Sequence, residues 1–189
     1  MGQVLTTPAG ARPVQKLLSI DFYNSTHPEV DKMEQIVRMA EALARIHENR
    51  TPHGNFWPAN VQVDQDGRLH FTNTGNYQTL LHATYIPIPA SYAYQSPQVL
   101  EEPSCVSLAS DVYSFACMMY KIFTGKSPYN TLSPVQGVVR IIRGGGHRAL
   151  ARPTQIPASL WTLMVECWSL SPAHRPSMAQ VLRRLRGLR

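Results

Sequence analysis

The residues best suited to chemistry lie between positions 53 and 75, where polar side chains flank a short predicted hairpin. Residues 61–63 and 69–71 alternate apolar and polar side chains, which is the pattern of two half-buried strands. Residues 64–67 read D-Q-D-G, a turn sequence whose Gly supplies the positive φ that hairpins need. Side chains that could bind a ligand stand before and after the hairpin: His53, Asn55, Asn60 and Asn73.

Two predicted helices must hold this segment in position. Residues 31–48 carry apolar side chains along one stripe and lead directly to the loop at His53. Residues 110–124 have an uninterrupted apolar face, with Ser110 as the predicted N-cap and Gly125 as the end. Shorter helices are predicted near residues 14–22, at residues 133–143 and from Ser177 onward.

The order of these residues resembles the catalytic segment of protein kinases, in which H-R-D-x-x-x-x-N is followed by a hairpin and then D-F-G. His53 and Asn60 fall on the first and last positions of the loop motif, and Gly75 falls on the Gly of D-F-G. The stretches S-D-V-Y-S-F at 110–115 and H-R-P-S at 174–177 resemble the C-terminal lobe of tyrosine-kinase-like enzymes. The resemblance covers residues 32 to 188.

The sequence departs from the family at the positions that do the chemistry. Asn55 stands at the catalytic Asp, and an amide is far too weak a base to accept the substrate's proton. Asn73 stands at the D-F-G Asp, and a neutral amide is a poor ligand for Mg²⁺. Trp57 replaces a Lys that the family often has, and Thr74 replaces the D-F-G Phe. Together these changes indicate a site without phosphoryl-transfer activity.

Three further positions match structural residues of the family. The resemblance implies that the Asp111 carboxylate accepts backbone N–H groups of the catalytic loop, although a first-turn acid that interacts with the helix dipole is the simpler alternative. Arg175 matches the Arg that pairs with the Glu of A-P-E, but the partner position is Gln98, so an ordinary hydrogen bond is expected. Loss of Asp111 or Arg175 is expected to destabilise the fold.

The predicted fold class is mainly α with a small β-hairpin, the helical bundle of a protein-kinase-like C-terminal lobe. A Gly-rich loop, a V-A-I-K strand and the helix with its partner Glu do not precede the match, so the N-terminal lobe is expected to be absent. Residues 1–30 are predicted to be a flexible segment with a short helix, and residues 31–189 the lobe itself.

The net charge of +6 is unevenly distributed. Residues 140–189 hold nine Arg against one acid, Glu166, which suggests an anionic membrane surface as a partner; a solvated last helix is the alternative. Gly2 lies in the N-myristoylation pattern M-G-x-x-x-[ST], which also occurs by chance. Three scattered Cys favour a reducing, cytoplasmic compartment, and the dispersed His and Cys predict no metal site.

Three functions follow from these observations. The favoured one is a catalytically inactive, pseudokinase-like signalling lobe that binds a protein partner, or a second copy, through the face left open by the missing N-terminal lobe. Trp57 is the expected contact; the alternative is that its ring folds back over the hairpin and fills the empty pocket. The second is a Ser/Thr or Tyr protein kinase, or a truncated part of one, that needs an N-terminal lobe from elsewhere. The third is a basic membrane-peripheral module. No cofactor is expected unless the chain is a kinase, which would use ATP and Mg²⁺, and nucleic acid is not an expected partner.

Overall fold

The computed structural model describes residues 17–75 and 90–189. The strands are β1 (Leu18–Ser19), β2 (Val61–Val63) and β3 (Leu69–Phe71). The helices are α1 (Ile20–Thr26), α2 (Lys32–Glu48), α3 (Pro97–Glu101), α4 (Leu108–Thr124), α5 (Pro134–Arg143), α6 (Ala158–Cys167) and α7 (Met178–Arg186). The fold is therefore mainly helical with one small sheet, as the sequence predicts.

The sheet has one strand more than the predicted hairpin. Strands β2 and β3 form the hairpin, and β1 adds to its other edge, giving the antiparallel order β1-β2-β3. Leu18 is opposite Val63, which in turn is opposite Leu69. Residues 18–26, assigned to a separate N-terminal segment by the sequence, thus pair and pack with the rest of the lobe. A two-residue strand has no periodicity of its own, so only this pairing reveals it.

Helix α4 is the centre of the hydrophobic core. Eleven of its residues are buried, among them Tyr113, Phe115 and Met119. The predicted N-cap, Ser110, is wrong by three residues, because Ser107 caps the helix and Ser110 completes a capping box from the third helical position. Gly125 ends the helix with φ 72°, as predicted.

The remaining helices pack around this centre. Helix α2 lies between α4 and α7, and α6 packs against α4. The early helix α2 and the last helix α7 therefore share one hydrophobic core. Helices α2 and α5 and the Ser177 N-cap of α7 agree with the sequence patterns. The helix predicted near residues 14–22 begins only at Ile20, where the Ser19 side chain caps it.

Candidate functional site

The start of the loop at residues 53–60 is fixed by hydrogen bonds to Asp111. One carboxylate oxygen, Oδ2, accepts the backbone N–H of His53 at 2.6 Å, and the other, Oδ1, accepts that of Gly54 at 2.9 Å. His47, at the end of α2, contacts Oδ2 through Nε2 at 2.9 Å. Asp111 is only 1% exposed, so water could not take its place as the acceptor for these N–H groups. The carboxylate therefore ties the loop to α2 and α4, in the arrangement that the resemblance implies.

The two polar loops on either side of the hairpin are joined to each other. The Asn60 side chain is buried and donates through Nδ2 to the Asn55 carbonyl at 2.8 Å, which closes the first loop. The backbone N–H of Gly75 donates to the His53 carbonyl at 2.8 Å, so the second loop returns to the start of the first. The sequence-predicted residues His53, Asn55, Asn60 and Gly75 thus lie in one site.

Asn73 completes the site with an amide in place of a carboxylate. Its Nδ2 donates to Oδ1 of Asn60 at 2.9 Å. Asn73 has φ 56°, a left-handed conformation that Asn tolerates better than most residues, and this turn brings its side chain back over the hairpin. The Asn60 oxygen that could face a cation is already occupied by a hydrogen-bond donor. The two amides do not fit Mg²⁺, which requires hard and preferably anionic oxygen ligands.

Asn55 stands at the position of the catalytic base, and among the described residues the titratable side chain bonded to its backbone is that of His53. Asn55 is half-buried and neutral, and its backbone N–H donates to Nδ1 of His53 at 3.3 Å. His53 is fully buried between the rings of Phe56 and Phe71, and this burial lowers its pKa below the usual value of 6.5. The imidazole is therefore neutral at physiological pH and works as a packing group.

The neighbouring aromatic residues Phe56 and Trp57 differ in burial. Phe56 is 3% exposed and packs edge-on against Phe71. Trp57 is half-buried and lines a cleft together with Ser19 and Tyr94. Trp57 is the large aromatic side chain of the loop that a partner could reach.

Arg175 binds Gln98 and anchors the segment that follows residue 90. The guanidinium donates through Nη2 to Gln98 Oε1 at 2.7 Å. Gln98 uses its own amide to donate to the Leu170 carbonyl at 2.5 Å. The hydrogen bond between a cation and a neutral amide stands where the resemblance places an ion pair.

The C-terminal arginines are mostly paired with acids of the lobe. Arg184 forms a bidentate ion pair with Glu166. Arg186 contacts Glu41 at 2.7 Å, and Arg189 contacts Glu34 at 2.5 Å. Both of those glutamates lie on α2, far away in the sequence, so no local pattern in residues 140–189 could have revealed them. The ion pairs fasten α7 to α2 and α6 and reduce the basic character of this end.

Two other predictions have a more limited outcome. Gly2 lies outside the described residues. In residues 17–75 and 90–189, no helix is both long enough and apolar enough to span a bilayer.

Comparison with known proteins agrees with the geometry. A family model described as protein tyrosine and serine/threonine kinase matches residues 14–185. Human tyrosine-protein kinase Srms is 30% identical over 155 residues, which are 80% of this chain and 31% of that protein. Serine/threonine-protein kinase STY17 of Arabidopsis thaliana is 25% identical over 173 residues, covering 89% and 30%. Tyrosine-protein kinase Drl of Drosophila melanogaster is 30% identical over 153 residues, covering 76% and 24%. The chain therefore spans less than a third of the length of these relatives.

Proposed function

This chain belongs to the protein tyrosine and serine/threonine kinase family, and from that premise we propose that it is a catalytically inactive member that acts as a protein-interaction or regulatory module. The hydrogen bond between Asn73 Nδ2 and Asn60 Oδ1, at 2.9 Å, carries the proposal. It joins two neutral groups at the point where the family holds Mg²⁺, and Asn55 cannot act as the base. The chemistry is lost at both positions.

A retained framework supports a binding role over simple decay of the domain. Asp111 still receives the loop N–H groups, and Arg175 still anchors Gln98. A chain that keeps these buried polar contacts keeps a loop of defined shape, which a binding surface requires. Trp57 is the proposed contact for a protein partner or a second copy, since Trp is enriched among the residues that dominate interface energies.

Thermal melts with and without Mg-ATP test the proposed inactivity. A ligand at 100 times its Kd adds about 2.7 kcal/mol to the free energy of unfolding. For a domain of this size, that raises Tm by roughly 5–11 °C, at about 2–4 °C per kcal/mol. We expect no Mg-dependent rise in Tm with ATP. The Asn73→Asp variant is the matched control, since it introduces one anionic ligand beside Asn60. A reproducible Mg-dependent rise in the unaltered chain would overturn the proposal.

A second candidate is an active protein kinase whose nucleotide-binding lobe comes from another chain or from sequence beyond these 189 residues. The Asp111 contacts favour it, because they hold the loop at residues 53–60 as an active kinase requires. It also requires that another group perform the role of Asn55. Phosphate transfer to a generic protein substrate separates the two candidates when it is measured on the chain and on its Asn55→Asp variant, each supplied with a kinase N-terminal lobe. Transfer by the unaltered chain would establish the kinase.

A further inference from the structure

Helix α5 carries an apolar stripe that faces solvent. Val135 is 62% exposed and Val139, one turn later, is 49% exposed. Half-buried Val138 and Ile142 extend the stripe along the helix. The stripe is the largest run of exposed aliphatic side chains on any one helix in the described residues, and such surfaces on folded domains commonly mark contact sites.

The packing of the opposite face fixes the direction of this stripe. Ile141 is fully buried, and Gly137 lies directly against the ring of Tyr92. A Cβ atom at position 137 would lie only 2.4 Å from that ring, so no larger side chain fits there. The helix cannot rotate to bury Val135 and Val139 without losing both contacts.

The surroundings of the stripe are mainly cationic, although α3, which packs against α5, ends with Glu101 and Glu102. Residues 112–165 contain six Lys and Arg but no Asp or Glu. Arg140 and Arg143 occupy the last turn of α5, and Arg148 is exposed in the turn that follows. These three form no ion pair with any described residue, in contrast to the paired arginines of α7. A partner with carboxylates would meet three arginines that form no ion pair within the described residues.

We propose that the α5 face, formed by Val135, Val139, Arg140, Arg143 and Arg148, binds an acidic amphipathic helix of a partner protein. Two valines one turn apart can pack against the apolar ridge of a second helix, and the arginines can pair with acids on the flanks of that helix. A lipid surface fits less well, because interfacial helices insert Trp, Phe or Leu and α5 has none. The inference rests on the proposed role as a binding module and uses a different face from that of Trp57.

Fluorescence anisotropy with a labelled synthetic peptide tests this face. The probe is a peptide of about 18 residues with Leu at helical spacing and Glu on both flanks, and the control peptide has the same composition in scrambled order. We expect the ordered peptide to bind at least about tenfold more tightly than the scrambled one, with an affinity that falls as salt rises. The double variant Val135→Ser/Val139→Ser should lose this preference, and Arg143→Glu should weaken binding of the ordered peptide. Arg183→Glu, an exposed change on α7, should leave binding unaltered.

Several results would overturn the inference. Equal binding of both peptides would mean that charge alone attracts them, and unaltered binding by the valine variant would exclude the stripe. Binding to phosphatidylserine vesicles, without binding to the ordered peptide, would assign the face to membranes. Melts with Mg-ATP on the same valine variant keep the two proposals apart, because the substitutions lie outside the amide site. If peptide binding is absent and Mg-ATP has no effect, the inference about α5 fails while the proposed inactivity stands.

Discussion

Arg175 and Gln98 form a hydrogen bond of 2.7 Å between a buried guanidinium and a neutral amide. The other two nitrogens of Arg175 also donate, Nε to the Ser169 carbonyl at 2.8 Å and Nη1 to the Ala109 carbonyl at 3.0 Å. The cation also lies 4.9 Å from the ring centre of Tyr113. Three segments of the chain therefore depend on the planar geometry of one side chain rather than on its charge alone.

Replacement of Arg175 with Lys should destabilise the lobe even though it keeps the charge. An ammonium cannot reach three acceptors that are arranged for a guanidinium, so at least one buried carbonyl loses its donor. We expect a loss of about 2 kcal/mol in the free energy of unfolding, measured by urea denaturation. Arg183→Lys, on the exposed side of α7, should change it by less than about 0.5 kcal/mol. Equal urea midpoints for Arg175→Lys and the unaltered chain would show that charge alone is sufficient.

His147 should make the lobe sensitive to acid. It is fully buried, its Nε2 contacts the Ala93 carbonyl at 2.9 Å, and its Nδ1 contacts the Tyr113 hydroxyl at 2.8 Å. Burial lowers the pKa of His147 to about 3, so the folded chain keeps the ring neutral. In the unfolded chain the pKa is about 6.5, and stability is therefore lost as pH falls from that value toward 3.

The expected loss attributable to His147 is about 2 kcal/mol between pH 7.5 and pH 5. Urea denaturation at the two pH values measures it. His147→Gln keeps an amide donor and acceptor but has no titrating group, so its stability should fall less over this range. His174→Gln, an exposed change, should keep the full dependence. If His147→Gln loses as much stability as the unaltered chain, other groups cause the acid sensitivity.

The ion pairs of α7 should limit attraction to anionic membranes. The triple variant Glu34→Gln/Glu41→Gln/Glu166→Gln neutralises the partners and releases four arginines, because Glu34 also pairs with Arg38. Each released arginine is worth about 1 kcal/mol near an anionic surface. We expect this variant to bind phosphatidylserine vesicles more tightly than the unaltered chain at low salt, and the difference to shrink at high salt. Equal binding would mean that the arginines of the unaltered chain are already available. They would then remain a candidate second signal for membrane attachment if Gly2 is acylated, because one myristoyl chain binds only marginally.

The sequence predicts those features whose signal is local. The apolar stripe of α2 and the start of α7 at Ser177 agree with the structure because periodicity and helix-start signals act within a few residues. The N-cap of α4 is wrong because Ser107 and Ser110 are both plausible caps, and only the reciprocal capping box distinguishes them. Strand β1 is missed because its partner lies more than forty residues away.

The candidate site shows the same division. The family motif identifies Asn60 as the motif's own Asn and Asn73 as an amide in place of the metal-binding Asp, but their mutual hydrogen bond depends on the left-handed turn at Asn73. The sequence predicts no role for His147, because the histidines are dispersed and form no metal-binding pattern. The structure gives it a role in the core instead, between Tyr113 and Trp168.

Trp57 allows the proposed interaction face to be tested with one substitution. Its ring is half-buried beside Ser19 and Tyr94, and its carbonyl accepts the Asn60 N–H at 3.0 Å, so the backbone is fixed while the ring lies at the surface. As a contact residue, Trp57→Ala should leave Tm nearly unchanged and weaken self-association or partner capture by about 2 kcal/mol or more. If the ring instead fills the cleft for stability, Tm should fall and association should not change.

Phe56→Ala, which empties a buried position, is the control for lost packing and should lower the free energy of unfolding by about 3–5 kcal/mol. Light scattering over a range of concentrations, with melts of the same samples, decides between the two. If the unaltered chain stays monomeric and captures no partner, Trp57 is excluded as the contact, because there is then no association for its ring to mediate.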